Sequence, residues 1–191
     1  MVQKARTILK FNEAWTFPEA VEKHIAKFVE EHPGTWLHAP VGTSKLHHKE
    51  NFGSKVTMIT LDINPELQPD LVCDIFRMTE NPFIKDIMET SGGFDGVISD
   101  PIWYEKVNCT ECGHCFKNPK GLAYPERRYL LYQLRDVLKP GGWLLFNALW
   151  RPTCKGMKIK KPCYEIAQAF ASFRNSSLLY YSQKVNQKLI L

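Results

Sequence analysis

The pattern with the most chemistry in this chain is Asp100-Pro101-Ile102-Trp103, followed at once by Tyr104. An acid, a proline of fixed φ, a branched residue and an aromatic ring make a stiff elbow. Such an elbow can hold a flat substrate against the ring while the carboxylate takes its polar edge. Two further acids stand where apolar runs end, Asp62 in Leu61-Asp62-Ile63-Asn64-Pro65 and Asp74 in Cys73-Asp74-Ile75-Phe76. A strand-end carboxylate commonly takes the two hydroxyls of a nucleotide ribose, and the next one can accept from an adenine amino group. Plain turn or capping chemistry is the alternative for both.

Six cysteines form the second constellation. Cys109-Thr-Glu-Cys112-Gly-His114-Cys115 contains two overlapping C-x-x-C pairs, and Cys154 and Cys163 follow later. Thiolates at that spacing suit a tetrahedral structural zinc, which needs four ligands. Cys109, Cys112 and Cys115 supply three, with Cys154, Cys163 or His114 as the fourth; alternatively Cys109 and Cys112 pair with Cys154 and Cys163. Redox use of the C-x-x-C pairs is the other reading. Cys73 reads as a buried strand residue.

These residues need elements to position them. Thr16 and Glu19 form a capping box, and Phe17, Val21, Ile25, Phe28 and Val29 recur at helical spacing up to Pro33-Gly34. Strands are predicted over 35–38, 56–63, 71–73, 96–99 and 143–147, with helices near 81–90 and from about residue 125. Lys139-Pro140-Gly141-Gly142 is expected to stop the latter helix. Beyond it the pattern predicts a basic loop over 151–162, a helix holding Ile166, Phe170 and Phe173, and a hairpin of strands near 177–182 and 185–190. Residues 104–124 and 151–163 are taken as basic, cysteine-containing insertions in one domain spanning 1–191. Strands alternating with helices imply a mostly parallel sheet, whose carboxyl edge is where ligands bind. His38, Asp62, Asp74 and Asp100 all fall at that edge.

The chain has 191 residues, 44% hydrophobic and 12% aromatic, which excludes a disordered polymer and supports one packed domain. No apolar run approaches the roughly 18–20 residues that span a bilayer, and MVQKARTILK has no signal-peptide core. The expectation is a soluble, cytoplasmic protein that does not engage membranes. Charge is uneven: residues 101–165 hold 12 Lys/Arg against 5 Asp/Glu, whereas the whole chain holds 25 against 20. An anionic partner would meet that segment.

In order and spacing, these features resemble the class I S-adenosylmethionine-dependent methyltransferases over residues 36–147. The motifs that carry the likeness are Leu61-Asp62-Ile63-Asn64-Pro65, Cys73-Asp74-Ile75-Phe76, Phe94-Asp95-Gly96-Val97-Ile98-Ser99-Asp100-Pro101, and Leu138-Lys-Pro-Gly-Gly before an apolar strand. The resemblance implies a Rossmann-like α/β fold with a C-terminal antiparallel hairpin. It implies S-adenosylmethionine held by His38, Ala39, Pro40, Gly42, Asp62, Ile63, Asp74, Ile75 and Asp100. Asp100-Pro101-Ile102-Trp103 is similar to the Asp-Pro-Pro-Tyr/Trp motif of the methyltransferases that modify exocyclic amines of adenine or cytosine. Carried over, Asp100 and the Pro101 carbonyl hold the target nitrogen, and Trp103 or Tyr104 stacks on the flipped base.

Two departures stand out. The glycine-rich first loop of the family is reduced here to His38-Ala-Pro-Val-Gly42-Thr-Ser, with one glycine, and Ile102 replaces the second proline. The leading expectation is methyl transfer to a nitrogen of DNA or RNA. A small-molecule or protein substrate is the first alternative, and a non-catalytic nucleic-acid-binding module of the same fold is the second. The sequence gives no oligomeric state.

Overall fold

A computed structural model describes residues 17, 19–46, 52–101, 127–148, 150–166 and 177–185. Among these residues seven strands form one sheet in the order β3-β2-β1-β4-β5-β7-β6. They are β1 (Gly34–His38), β2 (Val56–Asp62), β3 (Leu71–Val72), β4 (Phe94–Ser99), β5 (Leu138–Ala148), β6 (Met157–Ile166) and β7 (Ser177–Lys184). The first five pair in parallel, and β7 runs antiparallel between β5 and β6. The expected mostly parallel sheet with a C-terminal antiparallel hairpin is therefore present.

Both faces are covered, as a parallel sheet requires. α1 (Glu19–Glu31) buries Val21, Ile25 and Val29 on one face, against Trp36, Ile98, Leu145, Leu179 and Tyr181. α2 (Pro82–Ser91) and α3 (Arg127–Asp136) cover the other, where Ile84, Leu130, Leu131 and Leu134 meet Leu37, Leu61, Val97, Leu144 and Phe146. The alternation is strict: Trp36 and Leu37, or Ile98 and Val97, go to opposite cores because successive strand side chains point to opposite faces.

Backbone register explains two glycines. Trp36 pairs with Gly96 across β1 and β4, and a Cβ at Gly96 would fall inside the Trp36 ring. The ring lies over the next strand because that position has no side chain, and its Nε1 donates to the His32 carbonyl at 2.9 Å. Gly93 (φ +114) brings the chain against the Val137 carbonyl, where β4 begins.

Three expectations are corrected. α3 ends at Asp136, before Lys139-Pro140-Gly141-Gly142; those residues lie inside β5 at a break in register with β4, with Gly141 at φ 82. Residues 157–162 form β6, not a loop, and Ile166 ends that strand, not a helix. Met157 and Ile159 pack on the core while Lys158 and Lys160 are exposed, a period-two pattern that the lysines disguise. The hairpin is consequently β6 with β7, not 177–182 with 185–190. Phe170, Phe173 and residues 186–190 lie outside the described residues. No helix among the described residues is long and apolar enough to cross a membrane.

Candidate active site

The carboxyl ends of β1, β2, β4 and β5 converge on one edge. β1 ends at His38, which is buried and stacked on Phe17 at 6.2 Å between ring centroids. The chain continues through the cis Ala39-Pro40 peptide to Gly42. It stays tied to both neighbours: Ala39 N donates to the Ile98 carbonyl and Val41 N to the Leu61 carbonyl, each at 2.9 Å. Gly42 has φ +54, a left-handed conformation that suits glycine. Beyond it, Ser44 Oγ donates to Glu22 Oε1 at 2.6 Å, which fastens the loop to α1.

Asp62 organises this loop. Its Oδ2 accepts from Gly42 N at 3.0 Å and its Oδ1 from Asn64 N at 2.9 Å, with the residue only 6% exposed. An ionised carboxylate has about four acceptor positions, so each oxygen keeps capacity for a ligand hydroxyl. Ile63, next in sequence, is 65% exposed, an apolar surface beside the acid. Asp74 caps the 3-10 helix Ile75–Glu80, its Oδ1 accepting from Phe76 N at 2.9 Å. Ile75 is half-buried and packs against the core.

On the other side of β1, Asp100 follows β4 and is half-buried. Asn147, near the end of β5, donates from Nδ2 to Asp100 Oδ1 at 2.9 Å. Asn147 is 4% exposed, and its Oδ1 has no hydrogen-bond partner among the described residues; neither does buried Ser99 Oγ. Buried polar atoms left open at two neighbouring strand ends suit a polar ligand. Pro101 is half-buried; Ile102, Trp103 and Tyr104 lie outside the described residues.

This donor set fits S-adenosylmethionine as a chemical class. Asp62 offers acceptor capacity for a ribose diol, Ile63 an apolar face for an adenine ring, and Asp74 an acceptor further along the same edge. His38, Ala39, Pro40, Gly42, Asp62, Ile63 and Asp100 are thus gathered at one edge of the sheet.

The cysteines are distributed differently. Cys109, Cys112, His114 and Cys115 lie outside the described residues. Cys154 precedes β6: its carbonyl accepts from Met157 N, and Met157 pairs with Lys184 at the amino end of the sheet. The backbone of Cys163 lies between Pro162 and Tyr164, opposite Tyr180 and Leu179; its side chain lies outside the described residues. Five residues of β7 separate those levels, roughly 15 Å of strand. No group of three metal-ligating side chains occurs among the described residues. Burial pushes the Cys154 and Cys73 thiols above their usual range, which keeps both protonated near neutrality.

Sequence reasoning missed the Gly42–Asp62 bond and the Asn147–Asp100 bond. Only the likeness of a glycine loop facing a strand-end acid hinted at the first; the second had no local signal.

No protein-family model matches the chain, and no curated protein matches it by sequence. Among solved structures, the crystal structure of N-methyltransferase NodS from Bradyrhizobium japonicum WM9 matches with a TM-score of 0.53 at 11% identity, covering 88% of this chain and 97% of that one. The chain has the methyltransferase fold. A putative class I S-adenosylmethionine-dependent methyltransferase from Listeria monocytogenes has a TM-score of 0.49 at 16% identity, covering 95% of this chain and 64% of that one. Putative methyltransferase yhhF from Escherichia coli has a TM-score of 0.49 at 9% identity, covering 93% of each chain. At 11% identity the likeness to NodS shows the fold alone, and the chemistry has to be argued from the residues.

Proposed function

We propose that this chain transfers a methyl group from S-adenosylmethionine to an amino nitrogen of a nucleic-acid base. The observation that carries the reading is the Asn147–Asp100 hydrogen bond, which orients a half-buried carboxylate across the sheet edge from Asp62 and Gly42. Asp62 takes the ribose hydroxyls of the cofactor, and Ile63 and Asp74 flank its adenine. Asp100 accepts an N–H of the target amine, with the Pro101 carbonyl as the second acceptor. That would aim the nitrogen lone pair at the sulfonium methyl group. Trp103 or Tyr104 stacks on the base.

Bound S-adenosylmethionine would supply an electrophilic methyl group on a sulfonium, the N–C bond forming as the C–S bond breaks with its pair left on sulfur, and the proton shed by the nitrogen passing to solvent. Asn147 holds Asp100 Oδ1 from the β5 side, which sets the orientation of the carboxylate that accepts the amine N–H. The net positive segment 101–165 supports an anionic substrate.

The same reading includes one structural zinc on Cys109, Cys112 and Cys115 with a fourth ligand from Cys154, Cys163 or His114, and a cytoplasmic location. Elemental analysis of the purified protein should find one zinc per chain, and Cys112→Ser should lose it.

The central test supplies methyl-labelled S-adenosylmethionine with DNA and RNA oligonucleotides. Label recovered as an N-methylated base, and lost in Asp100→Ala, is the expected result. Cofactor binding without label in nucleic acid would move the substrate to a small molecule or protein. No cofactor binding by the folded, metal-loaded chain would leave the non-catalytic module.

A further inference from the structure

α3 and the segment 150–156 enclose a groove on the opposite face of the sheet from α1. β5 ends at the carboxyl edge, and Met157 starts β6 at the amino edge, so 150–156 crosses the face alongside α3. Between them is a cavity of about 260 Å³, lined by Arg128, Tyr132, Thr153, Cys154 and Lys155. Ligand pockets for small molecules usually measure about 300–1,000 Å³ and are mostly apolar. This one is smaller, open and cationic.

Its aromatic ring is held in place. Tyr132 is 37% exposed, and the Arg135 guanidinium sits 4.6 Å from its ring centroid. Arg135 is itself fixed: Nε donates to Asp136 Oδ1 at 2.7 Å and Nη1 to the Lys155 carbonyl at 2.9 Å. The second bond ties the two walls together. Asp136, at the end of α3, is occupied by Arg135, while Arg128 and Lys155 are exposed on the walls and Arg151 just before them. Tyr129, 43% exposed, adds a second ring on α3.

We propose that this groove binds an unpaired nucleic-acid strand, one base lying on Tyr132 and the flanking phosphates on Arg128, Lys155 and Arg151. The inference rests on the nucleic-acid reading given above and extends it, since α3 descends from the edge that carries Asp100. Immobilised rings beside spaced cations are what single strands use: every base has a face to stack, and every nucleotide a phosphate. A duplex keeps its base faces covered, and an acidic polypeptide would use the cations and leave the ring idle.

The test measures binding of fluorescent single-stranded DNA and RNA to the full chain at several salt concentrations, with a matched duplex and a polyglutamate peptide as competitors. Arg128→Gln with Lys155→Gln should flatten the log–log salt slope by about 1.4. Tyr132→Ala should weaken binding about ten-fold, and Tyr132→Phe should restore it. Thermal melts identify variants that fail to fold; Lys155→Gln, on the loop, then stands in for the helix variant. Unchanged affinity and slope in the folded variants, no strand binding by the wild-type chain, or equal competition by polyglutamate would each overturn the inference. Groove-dependent binding without methyl transfer would leave it standing while removing the enzymatic reading. Methyl transfer without groove dependence would do the reverse.

Discussion

Asn147 Nδ2 and Asp100 Oδ1 lie 2.9 Å apart across two neighbouring parallel strands. The bond fixes which carboxylate oxygen faces β5 and which faces the edge. It also makes Asn147 a positioning residue, acting through Asp100.

Asn147→Leu should therefore slow methyl transfer by about ten- to a hundred-fold, within the range for misplaced catalytic groups. Cofactor affinity should change far less. Single-turnover rates combined with calorimetry make the comparison. Adding Asn147→Leu to Asp100→Ala should cost little more than Asp100→Ala alone, because the two act as one unit.

Asp62→Ala removes the acceptor of two backbone N–H groups, Gly42 and Asn64. Both donors are half-buried, so leaving them unpaired should cost up to about 1–3 kcal/mol each and the urea midpoint should fall. S-adenosylmethionine affinity should drop at least ten-fold, since the loop loses its anchor and the cofactor its acid. A titration matching wild type would remove Asp62 from the cofactor site.

Gly96→Ala should destabilise the fold by about 1–3 kcal/mol through overpacking against Trp36. For a chain of this size that corresponds to a fall in melting temperature of about 2–4 °C per kcal/mol. Gly53→Ala, with open space around its Cβ, is the matched control and should melt close to wild type.

His24 is half-buried on α1 with its ring edge-on to Tyr181, and burial holds it below the usual histidine value; Lys27 lowers it further and Glu31 opposes. The unfolded chain then binds more protons in the window below about pH 6.5. Stability should fall as pH drops through that window and level out above it. His24→Gln should flatten this part of the urea-midpoint profile.

What the sequence disclosed was set by local pattern. Asp62 was legible because an apolar run stops at it, and α1 because Val21, Ile25, Phe28 and Val29 recur at helical spacing. Asn147 as the partner of Asp100 was not, because their contact joins residues 47 positions apart and depends on β4 lying beside β5. Residues 157–162 read as a loop because lysine is a poor strand former, and only packing against the core shows that Met157 and Ile159 share a face. Asp74 was legible under either of its readings: it caps the following turn, as plain turn chemistry would have it, while standing at the edge where a ligand would lie.

The two ends of the sheet have a consequence for self-association. An exposed edge strand is a template on which another chain can add, and long flat edges invite aggregation. Here β3 is two residues long. β6 has exposed Lys158 and Lys160, carries Pro162 without an N–H, and breaks register twice against β7. Among the described residues neither margin offers an uninterrupted ladder, so a concentrated solution should resist the strand-to-strand growth that seeds fibres.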